Sequence, residues 1–138
     1  MLTVASLIFL LISAENSAAD IKLSPAQACI ATNSGADSVI CLQQLEAGLQ
    51  QKIRRQQAAL QKRWRSLRDA GELTETHYQV AVTESRLANR AFLQFTTNQC
   101  QAMTGARGAV ASGYGQVYWT CRIDWAQQRL AYLLRQKP

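Results

Sequence analysis

Four cysteines, one histidine and scattered carboxylates are the residues of this 138-residue chain whose side chains could carry catalysis, redox chemistry or metal binding. Their spacing argues against all three. Zinc and dithiol redox sites draw on closely spaced CxxC pairs, whereas Cys29, Cys41, Cys100 and Cys121 are far apart, with only His77 to complete a ligand set. His77 stands beside Tyr78 in what reads as the first turn of a helix, with no cysteine nucleophile as a partner, and an imidazole so placed is ordinarily solvated. Glu72, Glu75 and Glu84 gather near the same helix start, where carboxylates complement the macrodipole without any acid–base role. The glycines from Gly105 to Gly115 follow a helix instead of a strand and spell neither GxGxxG nor a Walker sequence, which argues against a phosphate cradle. Trp64 and Trp119 fall in apolar stripes and read as core; Trp125, between Asp124 and Ala126, is open. No catalytic residue, cofactor or metal site is nominated, and the expectation is a protein that is not an enzyme.

Charge is the stronger signal. Lys52, Arg54, Arg55, Lys62, Arg63, Arg65 and Arg68 occur with no acidic residue between Gln50 and Arg68. At the helical period, Arg54, Arg55, Lys62 and Arg65 lie opposite the Leu49–Ile53–Leu60–Trp64 stripe and form an exposed cationic ridge. A solvated helix face accounts for such a ridge, and so does attraction to an anionic surface.

The elements that position these residues follow from composition and pattern. An apolar fraction of 48% with 17% charged residues fits one folded domain and excludes full disorder, collagen-like repeats and a polytopic membrane protein. Leu2 to Ile12 is apolar apart from Thr3 and Ser6, shorter than the roughly 18 residues of a spanning helix. Followed by Ser17-Ala18-Ala19, it reads as a signal peptide over residues 1–19, leaving a single domain over 20–138 with no transmembrane segment. A buried amino-terminal helix is the alternative. Cleavage removes Glu15 and no basic residue, so 15 Lys and Arg face 8 acids and the net charge rises from +6 to +7.

In an oxidising compartment the cysteines read as two disulfides. Of the three pairings, Cys29–Cys41 with Cys100–Cys121 is favoured because each closes a short local loop between neighbouring helical segments. Ser24-Pro25-Ala26-Gln27 has the N-cap, first-turn proline and capping-box residue of a short helix, which Asn33-Ser34-Gly35 ends. From Asp37 as the next N-cap, Leu42, Leu45, Leu49, Ile53, Leu60, Trp64 and Leu67 trace one apolar stripe, and Gly71 stops it. Thr74 caps a third helix with Tyr78, Val82, Ser85, Ala88, Phe92 and Phe95 on its face, reaching about Met103. A flexible connection over Gly105 to Gly115 then leads to a last helix marked by Trp119, Ile123, Ala126, Leu130 and Leu133. The prediction is an all-α fold: a small antiparallel bundle of three long helices and one short amino-terminal helix, stapled by two disulfides. An extended coiled coil is the alternative.

The run from Ala91 to Cys100, a glycine-containing spacer, and Cys121 followed by Arg129 and Leu133 resemble the exported LprI-type lysozyme-inhibitor family. Cys29 and Cys41 ahead of a long helix resemble that family's amino-terminal cysteines, so the likeness spans most of the mature chain. The resemblance implies a small helical domain of the bacterial envelope, periplasmic or secreted, that inhibits a lysozyme-like hydrolase without catalysis of its own. The expected contact element is the Gly105 to Gly115 loop with Arg107, Ser112 and Tyr114, because a disulfide-clasped loop loses little entropy on entering a cleft. A basic lysozyme would be repelled by a basic inhibitor, so an acidic hydrolase suits this reading better. The second reading is an envelope protein whose ridge of Arg54, Arg55, Lys62 and Arg65 sits on peptidoglycan, lipopolysaccharide or anionic lipid. Export removes nucleic acid from the expected partners.

Overall fold

A computed structural model of the protein describes residues 23–108 and 111–136, and only the backbone at Ala111 and Ser112; the expected signal segment over 1–19 lies outside the described residues. The chain forms α1 (Pro25–Thr32), α2 (Gly35–Asp69), α3 (Glu75–Ala106) and α4 (Ala111–Arg135), with no strand among the described residues. The all-α bundle of three long helices and a short first one is therefore present. At 1.5 Å per residue, the 35 residues of α2 extend about 50 Å.

Local chemistry sets most of the boundaries. Ser24 accepts from the Gln27 backbone N–H at 3.2 Å while the Gln27 carboxamide accepts from the Ser24 N–H at 2.8 Å, completing the capping box of α1. Thr74 caps α3 through the His77 N–H at 3.3 Å. Between α2 and α3, Gly71 takes φ +76°, a conformation closed to most residues with a side chain. Two expectations need correcting. The N-cap of α2 is Ser34, with no side-chain cap bond, and Asp37 instead lies in the first turn, where its charge complements the helix dipole. The flexible connection over Gly105 to Gly115 is also much shorter, because Gly105 ends in α3 and Gly113 and Gly115 belong to α4. At Gly115 the reason is packing: an added Cβ would lie 2.8 Å from Val39 Cγ2, so α4 uses the missing side chain to approach α2.

Successive long helices run antiparallel, which makes α2 and α4 parallel to one another. Gln116 donates to Ser38 at 2.8 Å and Arg122 to Glu46 at 2.9 Å, so the two sequences advance in the same direction. This non-sequential pair forms the most extensive interface. Its core holds Leu42, Leu49 and Ile53 of α2 against Ile123, Ala126 and Leu133 of α4, closed at one end by Ala26 and Cys29 of α1. Trp119 packs against this core from α4. α3 adds no residue to that apolar cluster; Thr96, Cys100 and Thr104 are its buried contributions in the C-terminal half. The Thr96 and Thr104 hydroxyls satisfy themselves within the helix, on Leu93 O and Cys100 O. The face of α3 consequently runs through Thr96, while Phe95 and Ala88 of the expected stripe are exposed.

The disulfides are Cys29–Cys41 and Cys100–Cys121, with Cα separations of 5.6 Å in each. Both lie at the end of the bundle where α1, the start of α2 and the start of α4 meet the last turns of α3. At the opposite end α4 finishes alongside Leu60 and Trp64, so the last turn of α2 and the first of α3 project beyond it.

Candidate functional site

All four cysteines are consumed by the disulfides, and no group of three or more His, Cys, Asp or Glu able to hold a metal occurs among the described residues. His77 is exposed, with Nδ1 3.0 Å from the Thr74 hydroxyl that caps its helix. The features suited to binding are one groove at the disulfide end, one charged helix face, and a buried polar network that holds them in register.

The end groove, about 490 Å³, opens between α1, the last turns of α3 and α4. Its walls include Ile30, Met103, Arg107, Thr120, Asp124 and Trp125. The Thr120 hydroxyl is buried with no hydrogen-bond partner among the described residues, and partial burial holds the Asp124 carboxyl above the usual carboxylate range. Trp125 is fixed by an edge-on contact with Phe95, ring centroids 5.1 Å apart. Of the three residues expected on a loop, Arg107 is the C-cap of α3 and lines this groove. Tyr114 instead belongs to the first turn of α4, exposed and stacked on Tyr118 with ring planes 12° apart. The side chain of Ser112 lies outside the described residues. A helix-borne surface thus replaces the expected loop.

Arg54, Arg55, Lys62 and Arg65 are all exposed on α2, and none is ion-paired among the described residues. The exception in the basic segment is Arg68, 2.8 Å from Asp69 and 3.6 Å from Glu75, with its guanidinium 4.4 Å from the centroid of the Tyr78 ring. The hydrogen bonds that Arg68 donates to the Asp69 carboxylate raise its pKa further. The acids of the turn therefore neutralise the end of the ridge and leave its middle free.

The buried network was not anticipated. Glu46 and Arg122 pair at 2.9 Å with side chains only 9% and 13% exposed. Arg122 also donates to Thr97 at 2.8 Å and Tyr118 at 3.3 Å, and Gln50 donates to Glu46 at 3.0 Å, so a single guanidinium ties α2, α3 and α4 together. Seven residues on, the Arg129 guanidinium lies 5.5 Å from the ring centroids of both Phe92 and Tyr132. A signal was present in the sequence: Glu46 falls four after Leu42 and three before Leu49, inside the apolar stripe.

Residues 29–133 match the family described as Lysozyme inhibitor LprI. No match was found among curated proteins or among solved structures. The matched segment begins at Cys29 and ends at Leu133, and takes in the second half of α1, all of α2 and α3, most of α4, both disulfides, the Glu46–Arg122 pair and Arg129. The chain belongs to the LprI lysozyme inhibitor family.

Proposed function

We propose that the protein is an exported, non-catalytic inhibitor of a lysozyme-type cell-wall hydrolase, released into the periplasm or secreted after cleavage of residues 1–19. The observation that carries this reading is the family match over residues 29–133. The two disulfides support an oxidising location, and no described helix is long and apolar enough to cross a membrane. Arg107, Ser112 and Tyr114 are the proposed contacts; Arg107 caps α3 in the end groove that Cys121 also lines, Tyr114 is exposed in the first turn of α4, and a surface clasped by the Cys100–Cys121 bridge has little entropy to lose on docking. Oxidised protein titrated into lysozymes of contrasting charge is expected to slow cell-wall lysis and to form a complex with the enzyme in the absence of wall. Lack of both effects across acidic and basic enzymes would reject the proposal.

A second reading rests on the exposed, acid-free middle of α2. Here the ridge of Arg54, Arg55, Lys62 and Arg65 attaches the protein to an anionic envelope polymer, and the attachment weakens as salt rises. Changing the four residues together to Gln is expected to abolish co-sedimentation with envelope fractions; undiminished sedimentation would remove the ridge as the contact.

A further inference from the structure

A second groove, of about 360 Å³, runs between α2 and α3 and is lined by those two helices alone. Gln57 and Gln61 form its α2 side, and Arg86, Asn89 and Arg90 stand opposite on α3. Gln57 donates to Asn89 at 2.7 Å across the groove, which fixes the orientation of both carboxamides. Arg86 and Arg90 are exposed and one turn apart, a rise of about 6 Å along the helix. Arg54, three residues before Gln57, and Arg65, four after Gln61, share that side of α2. Two guanidiniums, Arg86 and Arg90, therefore line the groove, the helical period puts those of Arg54 and Arg65 on the same side of α2, and none of the four is ion-paired among the described residues.

The acidic residues are elsewhere. No Asp or Glu occurs between Glu46 and Asp69 or between Glu84 and Asp124. Glu46 is buried against Arg122; Glu84 faces a different groove with Trp64 and Arg129. Leu93 is the one large apolar side chain in the lining, too little for a lipid tail or the apolar face of a helix. An arginine fork matches the paired oxygens of carboxylate, sulfate or phosphate, whereas fixed carboxamides suit hydroxyl groups, which both donate and accept. An elongated groove with both features fits a chain of sugars bearing acidic groups at intervals.

We propose that the α2–α3 groove binds a linear anionic glycan, with Arg86 and Arg90 holding successive acidic groups and Gln57, Gln61 and Asn89 receiving sugar hydroxyls. This rests on the second reading above and moves the contact from the crest of α2 to the groove. By helical period Arg54 and Arg65 lie on the groove side of α2, while Arg55 and Lys62 lie further round the helix, on the crest.

The test compares oxidised wild-type protein with the double variants Arg86→Gln/Arg90→Gln and Arg55→Gln/Lys62→Gln, each confirmed as folded by its thermal melt. Titration calorimetry at low salt uses long oligogalacturonate as the probe, with neutral dextran and polyglutamate as comparators. The groove pair is expected to weaken oligogalacturonate binding by about tenfold and the crest pair by no more than about twofold, since these are exposed charges. Polyglutamate, which lacks the hydroxyls, is expected to bind more weakly than the glycan, and dextran not at all. Equal losses for the two pairs, or a loss confined to the crest pair, would overturn the groove while leaving the ridge reading standing. No wild-type binding to either polyanion would overturn both.

Discussion

Changing Glu46 alone should harm the protein far more than removing Glu46 and Arg122 together. In Glu46→Leu the Arg122 guanidinium stays buried, loses the 2.9 Å carboxylate bond, and retains only neutral acceptors at Thr97 and Tyr118. Its Nε has no partner among the described residues in the wild type either, so no spare bond compensates. Leaving one charge of a buried pair uncompensated costs about 3–5 kcal/mol, and we place this case at about 3 kcal/mol because Arg122 is not fully enclosed. For a domain of this length that corresponds to a fall in Tm of roughly 10–15 °C. In the double variant Glu46→Leu/Arg122→Met nothing charged is stranded. Thr97 still donates to Leu93 O at 2.9 Å, and the half-buried Gln50 and Tyr118 can turn to water. Its stability should lie within about 1 kcal/mol of wild type, because an apolar replacement of a buried pair is close to neutral. Urea unfolding of the three oxidised proteins reads both values. A single variant costing less than about 1 kcal/mol, or a double variant as unstable as the single, would refute the reasoning.

Three further outcomes are expected. Gly113→Ala should stabilise α4 by about 0.5–1 kcal/mol because its Cβ meets open space, whereas Gly115→Ala should destabilise by about 1 kcal/mol through contact with Val39; paired thermal melts would show the opposite signs. Asp124→Asn should stabilise the protein at neutral pH, since burial raises the native carboxyl's pKa and so penalises the charged form. The gain should shrink as pH falls through that raised value and vanish below about 3.9, the unfolded value, where both states are protonated; a gain that persists in acid would contradict it. Replacing Cys100 and Cys121 with Ala reopens a loop of 21 residues and should cost about 3 kcal/mol in urea unfolding.

The periodicity of α2 was readable because Leu42, Leu49 and Ile53 face one large apolar partner. The caps at Ser24 and Thr74 were readable because each is a local hydrogen-bond pattern, and the disulfides because each joins adjacent helices. The start of α4 was not. Gly113 and Gly115 carry a helix penalty that locally favours a loop, and the gain that outweighs it at Gly115, contact with Val39, lies more than seventy residues away in sequence. For the same reason nothing in the sequence marks Arg122: only the fold brings Glu46 to it. Arg86 and Arg90 form a groove with Gln57 and Gln61 only because α3 folds back on α2.

Covalent closure confined to one end gives this bundle a gradient of local rigidity. Opening near the bridges must work against cross-links as well as packing, whereas α2, α3 and α4 can splay at the far end without stretching any bond. Amide hydrogen exchange should therefore be slowest around Leu42 and Ile123 and fast around the exposed Asp69 and Glu75, with subglobal opening starting at the far end. A bound partner that spans the open end would slow exchange there most, making protection in α2 and α3 a direct map of where the protein is held.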